Sequence, residues 1–449
     1  MVPAGKVVVI GAGLTGLSAA VRLRARGVGV TVLESSSQPG GPVRSEHDGG
    51  FLVEHGPNSM MTTDASVADF LQSLGLESDI VEPQAKKRFL VRKGRPLALP
   101  LGPTSALTTP LFSLAGKLRV LAEPFVTRGA ADDESLASFV ARRLGPEALD
   151  YAVEPFVAGI YAGDPEKLSA RWAFPKLWNL EREHGSLIRG ALGKKRGIHR
   201  PKMISFRNGM GDLPRRLAEK LGPDLHCGVR VENVEQAGNK WTVEWSRAGA
   251  AHRETADAVV STIPAFNVPE LPWPQNLRGS LEFLRGIVYP PVTVVALGFR
   301  RADVAHPLDG FGMLVPEVEK RRILGVIFSS SLFPGRAPRD HVLLTVFVGG
   351  ERQPRLARLG DDALEHDILA DLRDLLGVRG APVFRHVIRW PRAIPQYNLG
   401  YGGIISSLEK LEAANPGLHF VGNYRGGIAA GQCIQNGLRL AEEIGARIT

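Results

Sequence analysis

Three glycines and one acid carry the first chemistry in this chain: Gly11, Gly13 and Gly16, spaced in Gly11-Ala12-Gly13-Leu14-Thr15-Gly16, and Glu34 beyond them. Gly11 permits a tight turn, Gly13 lets backbone approach a pyrophosphate, and Gly16 lets the following helix pack close to a sheet. Amides left free where that helix starts can face phosphate oxygens, while Glu34 can accept from ribose hydroxyls. Glycine-rich turns also join ordinary strands and helices, so context decides. Here an apolar β-branched run at residues 7–10 precedes the turn, a helix-like stretch over 18–26 stopped by Gly27 follows it, and a second apolar run at 30–33 ends on Glu34. That is the order of a βαβ dinucleotide-binding unit.

A second glycine pair follows the acid. Pro39-Gly40-Gly41-Pro42-Val43-Arg44-Ser45 comes shortly after Glu34 and Ser35, so it can wrap back over the same pyrophosphate, with Gly40 and Gly41 giving close approach and Arg44 giving charge. The plainer alternative is a glycine turn beside a solvated arginine. Near the other end, a strand-like run at 418–421 stops at Gly422-Asn423, and Gly426, Gly427 and Gly431 lead into a helix-like stretch over 434–444. Short strands are expected at 225–232, 241–245 and 258–263.

These elements belong to a chain of 449 residues, long enough for two or three domains with a large core. Hydrophobic residues at 44 % and charged residues at 22 % argue against disorder. Cys227 and Cys433 stand in no metal or redox spacing, so no disulfide framework and a reducing compartment are expected. The 11 histidines form no H-x-x-H pattern, and no metal is expected. Residues 7–23 are apolar, but they carry the glycine fingerprint with only Lys6 before it, so the segment is expected to be retained and the chain to be cytoplasmic. The net charge of +9 admits nucleic acid, anionic lipid or an acidic small molecule as partner; without a helix-turn-helix, an aromatic RNA platform or a basic arm, nucleic acid is set aside. Two basic clusters remain: Lys86-Lys87-Arg88 with Arg92, Lys93 and Arg95, and Lys194-Lys195-Arg196 with Arg200 and Lys202.

Residues 100–205 lack strand alternation and carry helix-like stretches at 111–125, 135–143, 147–156 and 177–192. The part from Leu101 to Leu121 is apolar with sparse cations, which suits either core helices or a helix lying in a bilayer interface. From 265 to about 402 strands dominate, at 292–299, 312–315, 323–329 and 342–348, and an antiparallel sheet roofing the cofactor is expected.

Together with the two glycine motifs, Glu54-His55-Gly56-Pro57-Asn58, Gly159-Ile160-Tyr161-Ala162-Gly163-Asp164-Pro165, Gly310-Phe311-Gly312, Ile394-Pro395-Gln396-Tyr397 and Gly422-Asn423 resemble the oxygen-dependent protoporphyrinogen oxidases of the FAD amine-oxidase superfamily, essentially end to end. The resemblance implies an α/β protein with a Rossmann-type FAD-binding domain like that of p-hydroxybenzoate hydroxylase (1–85, 206–267 and 411–449), an antiparallel-sheet substrate domain (86–99 and 268–410) and a helical membrane-binding insertion (100–205). For FAD it implies contacts from the fingerprint residues Gly11, Gly13, Leu14, Thr15 and Gly16, from Glu34 and Ser35, and from Gly41 and Arg44. It adds Gly56 and Pro57, then Val231 and Trp390, and at the C-terminus Gly422, Asn423 and Ile428.

For the substrate, Arg88 matches an arginine that pairs with a propionate, where a planar fork suits a carboxylate better than lysine. In isolation it would be a solvated cation. Leu314, Ile327 and Phe347 match apolar residues that sandwich a pyrrole ring, Asn58 a polar residue near the flavin, and Gly163 a glycine at which the macrocycle approaches, although a turn glycine would look the same. The implied activity is six-electron oxidation of protoporphyrinogen IX to protoporphyrin IX, with dioxygen reduced to hydrogen peroxide and no side chain singled out as a general base. The resemblance further implies attachment to the inner face of the cell membrane through anionic lipid, and it leaves open a ferrochelatase partner and a homodimer. Alternatives are a coproporphyrinogen III oxidase, another flavin amine or carotenoid oxidoreductase, and a catalytically silent flavoprotein.

Overall fold

The computed structural model describes residues 5–62, 64–100, 102–193 and 201–448. Leu101, the basic run Lys194-Lys195-Arg196 with Arg200, and most of the 192–201 linker therefore lie outside the described residues. A five-stranded parallel sheet runs in the order Leu225–Cys227, Gly29–Glu34, Lys6–Ile10, Ala258–Ser261, Leu418–Phe420. Its central strand is apolar without alternation because both faces are covered: Val7, Val8 and Val9 are fully buried. The helices Leu14–Ala25 and Ala430–Ile448 cross on one face. A Cβ at Gly437 would stand 2.4 Å from the Thr15 carbonyl oxygen, so the crossing is a backbone contact that glycine alone permits.

Several expected boundaries move. The glycine-turn helix begins at Leu14 rather than 18, because Gly13 already serves as its N-cap. The strand expected over 225–232 breaks at Gly228, whose φ of +67° turns the chain out of the sheet; Leu225–Cys227 stays in the parallel sheet, and Val229–Ala237 joins Lys240–Arg247 and Ala250–Ala256 in a separate antiparallel sheet.

A seven-stranded sheet follows the order Phe384–Trp390, Val292–Arg300, His341–Gly349, Ile323–Phe328, Gly310–Leu314, Lys87–Arg92, Arg95–Ala98. It is mixed rather than wholly antiparallel: Gly310–Leu314 and Lys87–Arg92 run parallel, since these distant segments share no hairpin that would force reversal. One face lies under the helix Asp361–Leu376, with Leu364, Ile368 and Leu372 packed on Val295, Leu297, Leu344 and Val346. The other face meets the hairpin Ser45–Asp48/Phe51–Glu54 through Phe51 and Val53.

Between 103 and 193 the chain is helical, with shorter pieces than periodicity suggested. The 111–125 stretch is Leu114–Leu121 plus a 3-10 turn, the 147–156 stretch contains a π-helical turn at Leu149–Val153 before Glu154–Tyr161, and the 177–192 stretch breaks at Gly185 (φ +68°). At its centre the fully buried Arg143 bonds Glu181 (Nε, 2.6 Å) and Glu123 (Nη1, 3.0 Å) and donates to the carbonyls of Val126 and Gly185. Among the described residues no helix is long and apolar enough to cross a membrane.

Candidate active site

The two glycine turns meet above the C-terminal edge of the parallel sheet. Gly40 donates its N–H to the Ala12 carbonyl at 2.8 Å, and a Cβ on Gly41 would lie 4.0 Å from the Cα of Gly13. Gly13 itself faces open space, with no heavy atom within 4 Å of a Cβ built there. The helix behind it has no side-chain N-cap, so its first amides stay free. Gly16 is fixed by packing: a Cβ would fall 2.2 Å from the Gly11 carbonyl oxygen and 2.6 Å from Thr262 Oγ1. Glu34 accepts from the N–H of Ala12 (Oε2, 2.8 Å) and of Ser36 (Oε1, 2.8 Å), which orients the carboxylate and leaves lone pairs for sugar hydroxyls.

From there the contacts continue toward residue 58. His55 donates its N–H to the Arg44 carbonyl (2.9 Å), a Cβ on Gly56 would meet the Pro42 carbonyl oxygen at 2.4 Å, and Trp390 Nε1 donates to the His55 carbonyl at 2.8 Å. Arg44, Gly56, Pro57 and Trp390 are thus brought together although 346 positions separate the first from the last. Asn58 is buried, its Nδ2 donating to the Gly56 carbonyl at 3.3 Å. On the opposite side, Tyr397 Oη donates to the Asn423 carbonyl (2.7 Å) and accepts from the Gly427 N–H (3.0 Å), holding the 422–428 loop ahead of the C-terminal helix. Val231 and Ile428 are half-buried against the core cluster that includes Ile10 and Leu33.

This cradle fits flavin adenine dinucleotide. It offers an uncapped helix start, a glycine-walled approach between Gly13 and Gly41, a carboxylate with free lone pairs, and a buried Arg44 Nε that has no hydrogen-bond partner among the described residues.

The proposed substrate residues share one sheet face. Leu314 stands opposite Gly325, and Gly325 opposite Phe347, while Gly312 pairs with Ile327, so Leu314, Ile327 and Phe347 point the same way and are half-exposed between buried neighbours. Leu90 pairs with Leu314, which places Arg88, two residues earlier, on that same face at the sheet margin. Its guanidinium lies 5.3 Å from the Phe311 ring centroid and has no carboxylate partner among the described residues. The helix Glu154–Tyr161 closes over this face: a Cβ on Gly159 would touch Leu314 Cδ2 at 2.6 Å.

Gly163 has a packing reason for being glycine, since a Cβ would sit 2.3 Å from Gln396 Oε1. The Gln396 amide donates to the carbonyls of Tyr161 (2.8 Å) and Ile394 (3.0 Å), while its Oε1 is buried without a donor. A cleft of about 670 Å³ lies apart, between Trp172, Trp178, Tyr401 and the Tyr397–Gly427 contact, and none of the proposed catalytic or substrate residues lines it.

Two groups escaped the sequence reading. Glu54, buried beneath the 55–58 segment, accepts from Ser45 Oγ (2.5 Å) and the Met210 N–H (2.9 Å), and burial pushes its carboxyl up to about 7. Glu46 and His55, across one hairpin, converge beside the cradle with His386 from the distant strand Phe384–Trp390. Their spacing gave no signal, because register and not local order brings them together.

Fold and cradle define a flavin-dependent oxidoreductase. Residues 14–445 match the model of the flavin containing amine oxidoreductases, and the chain belongs to that family. It is 35 % identical to protoporphyrinogen oxidase 2, chloroplastic/mitochondrial, of Arabidopsis thaliana, over 97 % of this chain and 93 % of that one. It is 28 % identical to coproporphyrinogen III oxidase of Bacillus subtilis, over 96 % of each. In fold it is similar to a structure from Exiguobacterium sp. 255-15 described as a candidate protoporphyrinogen oxidase, with a TM-score of 0.82, 24 % identity and 99 % of both chains covered.

Proposed function

We propose that this chain oxidises protoporphyrinogen IX to protoporphyrin IX in three two-electron steps, each reducing one dioxygen to hydrogen peroxide. The observation that carries this reading is the half-exposed apolar face of Leu314, Ile327 and Phe347 with the carboxylate-free Arg88 at its margin, in a chain whose relatives over nearly its full length include protoporphyrinogen oxidases. A large, mainly apolar tetrapyrrole with two propionates needs such a slot.

When bound, the flavin supplies a two-electron acceptor that dioxygen can reoxidise. The protein's part is positioning. Arg88 receives a propionate in a two-point contact, the apolar face excludes water from the ring, and the buried Asn58 offers a polar group beside the flavin from the 56–58 segment. Glu54 is an unsuitable base despite its raised carboxyl, because both its oxygens are engaged by Ser45 and Met210 beneath the segment. Protons released in the reaction pass to water.

The domain division 1–85, 206–267 and 411–449 for the cofactor, 86–99 and 268–410 for substrate, and 100–205 as a membrane-facing insertion is part of this proposal. Leu114 (74 % exposed), Leu118 (57 %), Leu121 (58 %) and Phe125 (85 %) support the last element: they form one apolar stripe on the outside of the helical segment, while Lys117 and Arg119 turn back onto backbone carbonyls. Such a stripe suits burial at the boundary between headgroups and acyl chains on the cytoplasmic face of a membrane.

The test is porphyrin fluorescence against time in air, with flavin-loaded protein and protoporphyrinogen IX or coproporphyrinogen III at matched concentration. Faster turnover of the first supports the proposal. Faster turnover of the second moves the chain to the tetracarboxylate substrate, and rates no faster than autoxidation with both overturn porphyrinogen oxidation altogether.

A further inference from the structure

We propose that Glu46, His55 and His386 form a binding site for one divalent transition ion of the zinc class. Glu46 Oε2 lies 3.1 Å from His55 Nε2 and 3.8 Å from His386 Nε2, and one ligand atom from each of the three residues lies within 4.8 Å of the other two. A tetrahedral zinc with bonds of about 2.0–2.1 Å sets its ligand atoms roughly 3.3 Å apart, close to the 3.1 and 3.8 Å that separate Glu46 Oε2 from the two imidazole nitrogens. The two imidazole rings are 5.7 Å apart between centroids and tilted by 47°, an arrangement in which both Nε2 atoms face the same carboxylate.

Backbone pairing holds all three in place before any ion arrives. Glu46 pairs with Val53 in the hairpin, His386 pairs with Ala296 in the seven-stranded sheet, and His55 is pinned by its N–H to Arg44 and its carbonyl to Trp390 Nε1. Two imidazoles and one carboxylate favour a borderline ion, whereas calcium and magnesium demand six or more oxygens. The Arg44 charge opposes a cation here, and the Glu46 carboxylate offsets it. Glu46 remains about half exposed, which gives the ion an entry path and leaves its fourth position to water. An ion held here ties the hairpin to the seven-stranded sheet immediately before Gly56, Pro57 and Asn58.

The experiment titrates Zn2+ into the full chain, flavin-loaded and stripped with a chelator, by calorimetry, with Co2+ as an optical probe through its ligand-field absorption to the red of the flavin band. The expected result is one Zn2+ per chain, a rise in melting temperature with added Zn2+, and affinity weakened at least about tenfold by either His386→Ala or Glu46→Gln but not by His366→Ala, whose histidine is exposed on the helix Asp361–Leu376. Absence of a one-to-one isotherm, or equal affinity in wild type and in both variants, overturns the site. The two variants alter different elements, so misfolding of one leaves the other to decide.

Discussion

Arg88→Ala tests the substrate face through a single contact whose size can be worked out. Arg88 is exposed, lies over Phe311 and has no carboxylate of its own, so its removal strips charge without leaving a buried partner behind. A hydrogen bond to a charged group contributes about 1.5–3 kcal/mol, and solvent exposure places this one at the lower end, about 1.5 kcal/mol, or roughly a tenfold change. A propionate is remote from the carbons being oxidised, so the loss should appear in both ground and transition states: KM rises about tenfold while kcat stays within about twofold. Arg88→Lys keeps the charge but not the fork and should raise KM about threefold. Initial rates of porphyrin fluorescence at several substrate concentrations measure both constants, the flavin absorption spectrum controls for cofactor loss, and the wild-type advantage should shrink as salt screens the pair. An unchanged KM in both variants, or a fall in kcat at constant KM, would refute the placement of Arg88 at a carboxylate.

Other consequences follow from packing and charge. Gly13→Ala meets no atom within 4 Å and keeps an ordinary extended conformation, so the apoprotein should melt as wild type while its flavin-to-protein absorbance ratio collapses; Gly16→Ala, pressed against the Gly11 carbonyl, should destabilise the fold itself by about 1–3 kcal/mol in denaturant unfolding. Glu54, with a folded value near 7 against 4.5 when free, is protonated in both states below about pH 4.5; between there and pH 7 the unfolded chain releases the proton first, so this group's stabilising effect declines with rising pH and is gone above 7. Glu54→Gln should therefore flatten that decline in urea midpoints measured from pH 5 to 8. Arg143→Met leaves the buried Glu123 without its cation and Glu181 with Arg142 alone, and should cost about 3–5 kcal/mol, seen as a lower denaturant midpoint. Leu118→Ser with Phe125→Ser should weaken co-sedimentation with anionic vesicles about 100-fold, at about 1.5 kcal/mol or more per side chain, and unaltered co-sedimentation would remove the stripe from the membrane.

The parts of this molecule legible in its sequence are those set by local chemistry. Gly11, Gly13 and Gly16 announce a turn whose mechanics admit few alternatives, and the unalternating valines before them announce a strand covered on both faces. Boundaries failed where one residue's backbone overrode periodicity: Gly228 and Gly185, both at positive φ, cut segments that hydrophobic pattern alone joins. The parallel pairing of Gly310–Leu314 with Lys87–Arg92 was invisible because no turn links them. Distance along the chain likewise hid the approach of His386 to Glu46 and His55, and the contact of Gln396 with Gly163, which makes a turn glycine a packing requirement. In the sequence Glu54 stands only as the first residue of the 54–58 motif, and its contacts with Ser45 and Met210 are what show both its oxygens engaged.

The most direct measurement mixes flavin-loaded protein with protoporphyrinogen IX without oxygen and follows the flavin band. Oxidation of the porphyrinogen by this flavin predicts that the band bleaches at least as fast as aerobic turnover, that porphyrin fluorescence appears in step with it, and that admitted air restores the oxidised spectrum. A band that stays oxidised while the same preparation binds the porphyrinogen would contradict the account.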